Sequence, residues 1–266
     1  MLRVVFFDAA GTLFHTREPA GLSYAKIARR FGVQADERQV IDSFRHAFAA
    51  APGLAFGPGH EPARLRELER DWWRRLVRAT FAGIGDFADF DAYFDALFAF
   101  FGDPANWICD PDAPVLLAAL AESGLELGVI SNFDYRIYAI LEGLGLGRHF
   151  TSITISSEAG YAKPAPEIFR LALERHALPA QQALHVGDSE PLDVAGARAA
   201  GIAAVLVDPE AVGPDAAAAD CVGPQVATPE GPAPPARREP SFSEGRYVCV
   251  RSLGEVAAAL GRLGFP

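Results

Sequence analysis

Three polar side chains of this sequence follow short apolar runs, and each belongs to a residue type that can do chemistry. Asp8 ends the run Val4–Phe7, Ser131 follows a second run, and Asp188 comes one glycine after a third. Runs rich in β-branched and aromatic residues are typical of strands buried on both faces. In open α/β sheets, ligands bind beyond the carboxyl ends of such strands. These side chains are therefore predicted to share one site.

Together these groups meet the needs of phosphoryl transfer. A carboxylate such as Asp8 can attack phosphorus and form an aspartyl phosphate. The hydroxyl of Ser131, backbone N–H groups and an ammonium can neutralise the phosphoryl oxygens. The sequence holds two lysines, Lys26 and Lys163, and is otherwise basic through arginine. A compact ammonium suits a phosphate oxygen and an aspartate where a guanidinium fork does not, so Lys163 is the candidate ammonium.

A further carboxylate, Asp193, lies five residues beyond Asp188. Carboxylate oxygens are the hard ligands that Mg²⁺ takes in proteins. Two neighbouring carboxylates also need a cation's charge to stay ionised side by side. We therefore predict a Mg²⁺ site built by Asp8 and Asp188.

The elements that must position these residues follow from hydrophobic periodicity. Strand and helix patterns alternate from residue 110 onwards, which favours a parallel sheet with right-handed crossovers. The sequence thus predicts an α/β fold, a doubly wound Rossmann-like parallel sheet. The predicted strands are Val4–Phe7, 125–130, 152–156, 183–186, 203–207 and 247–250, and the predicted helices are 111–122, 136–144, 166–176, 192–200 and 253–263.

A different pattern follows the first strand. Apolar residues recur at helical spacing over 23–31, 36–49, 63–81 and 87–101, with Gly and Pro clusters between them. We predict an all-helical cap over 16–105 and a core formed by 1–15 and 106–266. Trp72 and Trp73 in the cap are interpreted as packing residues. The Pro/Ala/Gly-rich segment 208–246 is expected to form a long surface loop.

Composition narrows the functional classes. The formal net charge is −10, and no basic stripe offsets it, so a nucleic-acid partner is not expected. Three widely spaced cysteines without a CxxC pair fit reduced thiols and a cytoplasmic protein. Asp8 interrupts the first apolar run too early for a signal peptide. No run of about 18 apolar residues indicates a membrane span.

The motifs as a set resemble those of the haloacid dehalogenase-like hydrolase superfamily. They are Asp8-Ala-Ala-Gly-Thr12, Ser131-Asn132, Lys163-Pro164 and Gly187-Asp-Ser-Glu-Pro-Leu-Asp193, in the family's order. The helical segment after the first motif is similar to the family's type-one cap. The runs 129–134, 160–164 and 185–188 are similar to the branch named for a rhythmically expressed fly gene product. The resemblance covers residues 1–15 and about 110–207.

The resemblance implies a role for each motif. Asp8 would be the nucleophile and a Mg²⁺ ligand, and Ala10 would offer its backbone carbonyl to the metal. Ser131 and Asn132 would bind the phosphate of a small phosphorylated metabolite. Lys163 would pair with that phosphate and with Asp8. The metal site would be completed by two further carboxylates, Asp188 and Asp193.

Position 10 departs from the family pattern. Its phosphatases usually carry an aspartate there as general acid and base, and alanine cannot transfer a proton. His15 and Asp134 are possible replacements, and Glu190 could support the metal shell. Lys26 would have to reach the site for phosphonatase-type chemistry. The expectation is a Mg²⁺-dependent phosphatase; the alternative is a feebly active relative that binds a phosphorylated metabolite or a partner.

Overall fold

The computed structural model describes residues 1–209 and 247–265. Within these ranges the chain forms eight strands and ten α-helices. The strands are β1 Val4–Phe7, β2 Phe14–Thr16, β3 Trp107–Cys109, β4 Glu126–Ser131, β5 Ser152–Ile155, β6 Ala183–Gly187, β7 Ala203–Val207 and β8 Tyr247–Val250. The helices are α1 Ala20–Arg30, α2 Glu37–Ala50, α3 Pro62–Phe81, α4 Phe90–Gly102, α5 Ala113–Glu122, α6 Arg136–Gly143, α7 Ser156–Ala159, α8 Pro166–His176, α9 Ala195–Ala199 and α10 Val256–Arg262.

Six strands form one parallel sheet in the order β5-β4-β1-β6-β7-β8. β1 lies inside it because its four residues are wholly buried and have partners on both sides. Val5 and Phe7 belong to one apolar cluster, and Val4 and Phe6 to another. Alternate side chains of a strand point to opposite faces, so both faces of the sheet are covered. The predicted doubly wound α/β fold is confirmed.

Two short strands were not predicted. β2 and β3 pair antiparallel, with Phe14 opposite Cys109 and Thr16 opposite Trp107. Each strand has three residues, which is too short for a period-two pattern to stand out. This ribbon brings together the two points where the chain leaves and rejoins the sheet region.

Helices α1 to α4 lie between β2 and β3, and we call Ala20–Gly102 the helical insert. Its helices share an apolar cluster that includes Tyr24, Val77, Tyr93 and Phe94. Helix α4 begins three residues later than predicted because the Asp89 side chain accepts the Ala92 N–H as an N-cap. The division into a core and a cap remains a prediction.

The helix predicted over 192–200 is instead a wide π-type turn followed by α9. The turn spans Glu190–Val194, and the backbone N–H of Val194 donates to the Ser189 carbonyl, five residues back, at 3.3 Å. Such wide turns are frequent at functional sites. This turn buries Asp193, which has 1% of its surface exposed.

The predicted loop 208–246 lies almost wholly outside the described residues. Among residues 1–209 and 247–265, every helix is too short or too polar to cross a bilayer.

Candidate active site

The site lies at the carboxyl ends of β1, β4 and β6, and two glycines allow its carboxylates to approach the backbone. A Cβ on Gly11 would lie 2.5 Å from Oδ2 of Asp188, and Gly11 has a φ of +104°. A Cβ on Gly187 would lie 2.3 Å from Cγ of Asp193. No side chain fits at either position without displacing a carboxylate.

Lys163 connects the carboxylates of two strand ends. Its Nζ donates to Oδ1 of Asp8 at 2.6 Å and to Oδ1 of Asp193 at 2.6 Å. All three side chains are nearly buried. Burial alone would lower the pKa of Lys163, but the charges of Asp8 and Asp193 outweigh it and raise that pKa. Lys163 is therefore held as a cation next to Asp8.

Asp193 accepts three hydrogen bonds. Besides Lys163, the His185 ring donates from Nε2 at 2.8 Å and the Ser189 N–H donates to Oδ2 at 3.1 Å. Burial would raise the pKa of Asp193, but the Lys163 charge and the His185 hydrogen bond hold it well below its ordinary value. Asp193 therefore fixes the position of Lys163. Its use as a metal anchor remains a prediction.

Asp8, Asp188 and Asp193 form an acidic cluster in which one ligand atom from each residue lies within 4.8 Å of the others. Asp188 accepts the Thr12 hydroxyl at 3.2 Å and is exposed towards solvent. Desolvation and the charges of Asp8 and Asp193 raise the pKa of Asp188 to about 6. Three hard oxygen donors against one ammonium suit a divalent cation such as Mg²⁺.

Ser131 is the last residue of β4 and Asn132 follows it, on the side of β1 opposite to β6. Ser131 is 2% exposed and lines the same cavity as Asp8. Asn132 accepts the Lys163 N–H at 2.7 Å and donates through Nδ2 to the Lys163 carbonyl at 3.0 Å. The Asn132 side chain thus clamps the backbone of the candidate ammonium residue. The predicted role of Asn132 in phosphate binding remains a prediction.

A cavity of about 590 Å³ opens over these groups. The strand-end side is lined by Asp8, Ser131, Lys163 and Asp188, with Ala10 beside them. The opposite side is supplied by the helical insert, through Phe48, Ala51, Pro52, Gly53, Leu54, Trp72 and Trp73. Trp72 is 5% exposed and belongs to an apolar cluster against which Trp73 packs, as expected of packing residues. Both tryptophans also line the cavity.

Two candidates for the missing acid differ sharply in accessibility. Asp134 is wholly buried, and its carboxylate accepts from Nε and Nη2 of Arg136 at 2.9 and 2.6 Å and from Nε1 of Trp73 at 2.6 Å. It is not among the described residues that line the cavity. His15 is exposed and does line the cavity. Of the two, His15 alone could reach a bound ligand.

Lys26 and Glu190 point to other contacts. The Lys26 ammonium is paired with Glu18 on the surface, and Lys26 is not among the described residues that line the cavity. The Glu190 carboxylate accepts the Tyr247 hydroxyl at 3.1 Å. The structure therefore brings Asp8, Ser131, Lys163, Asp188 and Asp193 together, with Ala10 and Asn132 alongside, and leaves Lys26 and Glu190 out.

Three features of the site were not predicted from the sequence. His185 supports Asp193, Thr12 supports Asp188, and aromatic residues form the wall opposite the strand ends. A histidine inside the buried run 183–187 was a usable signal, because a buried imidazole needs a partner. The aromatic wall had no such signal, since helical spacing of aromatics predicts packing equally well.

These motifs, the sheet order and the acidic cluster define a class. The chain belongs to the haloacid dehalogenase-like hydrolase family, whose model matches residues 2–201. Haloacid dehalogenase-like hydrolase domain-containing protein 3 of Mus musculus is 36% identical over 212 residues, which cover 77% of this chain and 82% of the relative. Rhythmically expressed gene 2 protein of Drosophila melanogaster is 27% identical over 215 residues, which cover 77% of this chain and 82% of that relative. The predicted likeness to the branch named for the fly protein is confirmed.

Two solved structures share the fold. The putative HAD-hydrolase YfnB from Bacillus subtilis, bound to magnesium, superposes with a TM-score of 0.66 at 19% identity and covers 97% of this chain and 98% of its own. L-2-haloacid dehalogenase from Xanthobacter autotrophicus gives 0.64 at 21% identity, over 98% and 99%. Because the two neighbours carry different names on one fold, the chemistry has to be argued from this chain's site.

Proposed function

We propose that this chain is a Mg²⁺-dependent phosphatase that acts on a small phosphate ester through an aspartyl phosphate on Asp8. The observation that carries the proposal is the contact of Lys163 with Asp8 in the lining of a cavity, beside Asp188. A nucleophilic carboxylate, a fixed ammonium and a second carboxylate are what phosphoryl transfer requires there.

Each residue has a defined task in this proposal. A carboxylate oxygen of Asp8 attacks phosphorus, and the ester oxygen leaves with the bond's electron pair. The Lys163 ammonium and the Ser131 hydroxyl hold the phosphoryl oxygens as charge shifts onto them. Asp8 and Asp188 would hold the metal ion, with the Ala10 carbonyl, and the ion would neutralise phosphoryl charge when bound. Water then attacks the aspartyl phosphate and releases inorganic phosphate.

The methyl group of Ala10 is the weak point of this mechanism. It gives no proton to the leaving oxygen and takes none from the attacking water. This observation favours the alternative that the chain binds a phosphorylated ligand and turns it over feebly or not at all. Phosphonatase chemistry is not proposed, since Lys26 is paired with Glu18 away from the cavity lining.

The test is release of inorganic phosphate from p-nitrophenyl phosphate with Mg²⁺ and with EDTA. We expect Mg²⁺-dependent release, and a phosphoryl mass on the peptide that contains Asp8 after a rapid acid quench. Asp8→Asn should abolish both. The matched control is Asp95→Asn, a surface carboxylate paired with Arg70, which should change neither. If p-nitrophenyl phosphate protects the wild-type protein against thermal unfolding but no inorganic phosphate is released, the binding alternative is favoured.

A further inference from the structure

The cavity has two chemically unlike ends. Charged and hydroxyl groups gather at the strand ends, whereas the far wall is made of carbon-rich side chains. The helical insert supplies Phe48, Leu54, Trp72 and Trp73 to that wall, and Trp107 and Phe133, which pack on each other, continue the apolar lining towards the strand ends. A phosphate held at the polar end would direct the rest of its ester towards this wall.

The three tryptophans of the wall keep their polar atoms for the protein. Nε1 of Trp72 donates to the Pro52 carbonyl at 2.9 Å, and Nε1 of Trp107 donates to the Phe101 carbonyl at 3.1 Å. Nε1 of Trp73 donates to the Asp134 carboxylate. Each indole N–H is therefore already satisfied. What the indoles offer a ligand is ring carbon, which favours apolar and aromatic contact.

The charges of the residues that line the cavity also favour an apolar ligand with a single anionic group. The ionisable side chains among the described lining residues are Asp8, His15, Lys163, Asp188 and Asp193. Lys163 is the permanent cation of this group, and it already pairs with Asp8 and Asp193. A ligand with a second anionic group would find no further permanent cation among these lining residues. A ligand rich in hydroxyl groups would leave them unpaired against the aromatic wall, at a cost in free energy.

Ala10 supplies an independent argument. Without a general acid, the ester oxygen must leave with little help from a proton. A phenolic oxygen holds negative charge far better than an alkyl oxygen does, since phenols such as tyrosine have a pKa near 10. The residue that weakens alkyl ester hydrolysis is thus least harmful with an aryl ester.

From these observations we infer that the wall of Phe48, Trp72 and Trp73 is a subsite for an aromatic ring, and that the substrate class is a small aryl phosphomonoester with one phosphate. The inference rests on the proposed function for its chemistry, but its recognition half can be tested by binding alone. A cavity of about 590 Å³ is within the range that encloses small ligands.

The binding test uses phosphonates, whose carbon–phosphorus bond separates recognition from leaving-group chemistry. Benzylphosphonate, methylphosphonate and 2,3-dihydroxypropylphosphonate are titrated with Mg²⁺ by calorimetry. Quenching of the tryptophan emission gives a second readout, because all three tryptophans of the chain line the cavity. We expect benzylphosphonate to bind about tenfold or more tighter than methylphosphonate, because its ring is buried, and the dihydroxypropyl compound to bind no tighter than methylphosphonate.

A variant assigns the effect to the wall. Phe48 is 49% exposed, so Phe48→Ala should fold, as a thermal melt will check. It should lose several-fold affinity for benzylphosphonate and keep its affinity for methylphosphonate. Val115→Ala, an exposed apolar residue on α5 away from the cavity lining, should change neither. The wild-type titrations stand even if Phe48→Ala does not fold.

The outcomes separate the two proposals. If the wild-type protein binds the dihydroxypropyl compound as tightly as benzylphosphonate, or more tightly, the aromatic subsite is overturned, even if p-nitrophenyl phosphate is hydrolysed. Selective benzylphosphonate binding with no phosphate release from any ester would support the subsite while refuting the phosphatase. If no phosphonate binds, the subsite is refuted, whatever the release assay gives.

Discussion

Replacement of Arg136 by methionine should destabilise the protein severely. Arg136 and Asp134 are a buried pair with side chains 6% and 0% exposed. The guanidinium makes two hydrogen bonds to the carboxylate, donates from Nη1 to the Phe98 carbonyl at 3.2 Å and lies 3.9 Å from the centre of the Phe98 ring. The pair thus ties the segment after β4 to the helical insert.

Breaking such a pair costs more than the pair itself contributes. Arg136→Met leaves the Asp134 charge buried, with the Trp73 N–H and one backbone N–H as its remaining donors. Removal of one partner of a buried pair costs about 3–5 kcal/mol, which is a large part of the roughly 5–15 kcal/mol by which domains are stable. We expect the free energy of unfolding to fall by that amount, as measured by urea titration at unchanged m-value.

Two further variants isolate the cause. Arg74 is the matched control, because it also lies over a ring, that of Phe94, but its partner Asp91 is 64% exposed. Arg74→Met should therefore lower the free energy of unfolding by less than about 1 kcal/mol. Asp134→Asn added to Arg136→Met removes the orphan charge and should recover most of the loss. If Arg136→Met and Arg74→Met cost the same, or if the second substitution recovers nothing, the buried-charge argument is wrong.

Three predictions concern the site. Ala10→Asp should raise turnover of alkyl phosphates by roughly 10²–10⁴ and that of p-nitrophenyl phosphate far less, as steady-state rates on both substrates will check. Fast alkyl phosphate turnover by the wild-type protein would show that another residue supplies the proton, and His15 would be the first to test. Asp188→Ala should weaken Mg²⁺ binding sharply while the melting temperature of the metal-free protein is kept; an unchanged calorimetric Mg²⁺ affinity would remove Asp188 from the metal site. Asn132→Ala should free the Lys163 backbone and lower kcat by about 10²; an unchanged kcat would refute the clamp.

Local sequence was enough for the six-stranded sheet and for the polar side chains that gather at its strand ends. β1 is four consecutive apolar residues because both of its faces are buried, and that pattern is legible without coordinates. The turn after β1 has a positive φ at Gly11, and the glycine at that position indicates such a turn because glycine adopts positive φ readily. Among the boundaries that failed are Glu190–Val194 and Phe90, where a local cap or a wide turn overrode the periodic pattern. Helix α1 also begins at Ala20, three residues before its predicted start.

Contacts between distant segments were decided by the tertiary structure alone. Asn132 could be placed near phosphate by its position after a strand, but its hydrogen bonds to Lys163 join residues 31 apart in sequence. The Trp73 indole and the Asp134 carboxylate are 61 residues apart. Periodicity shows which face of an element is apolar and not which element covers it. For that physical reason the sequence determined the polar end of the cavity, and only the fold determined its aromatic wall.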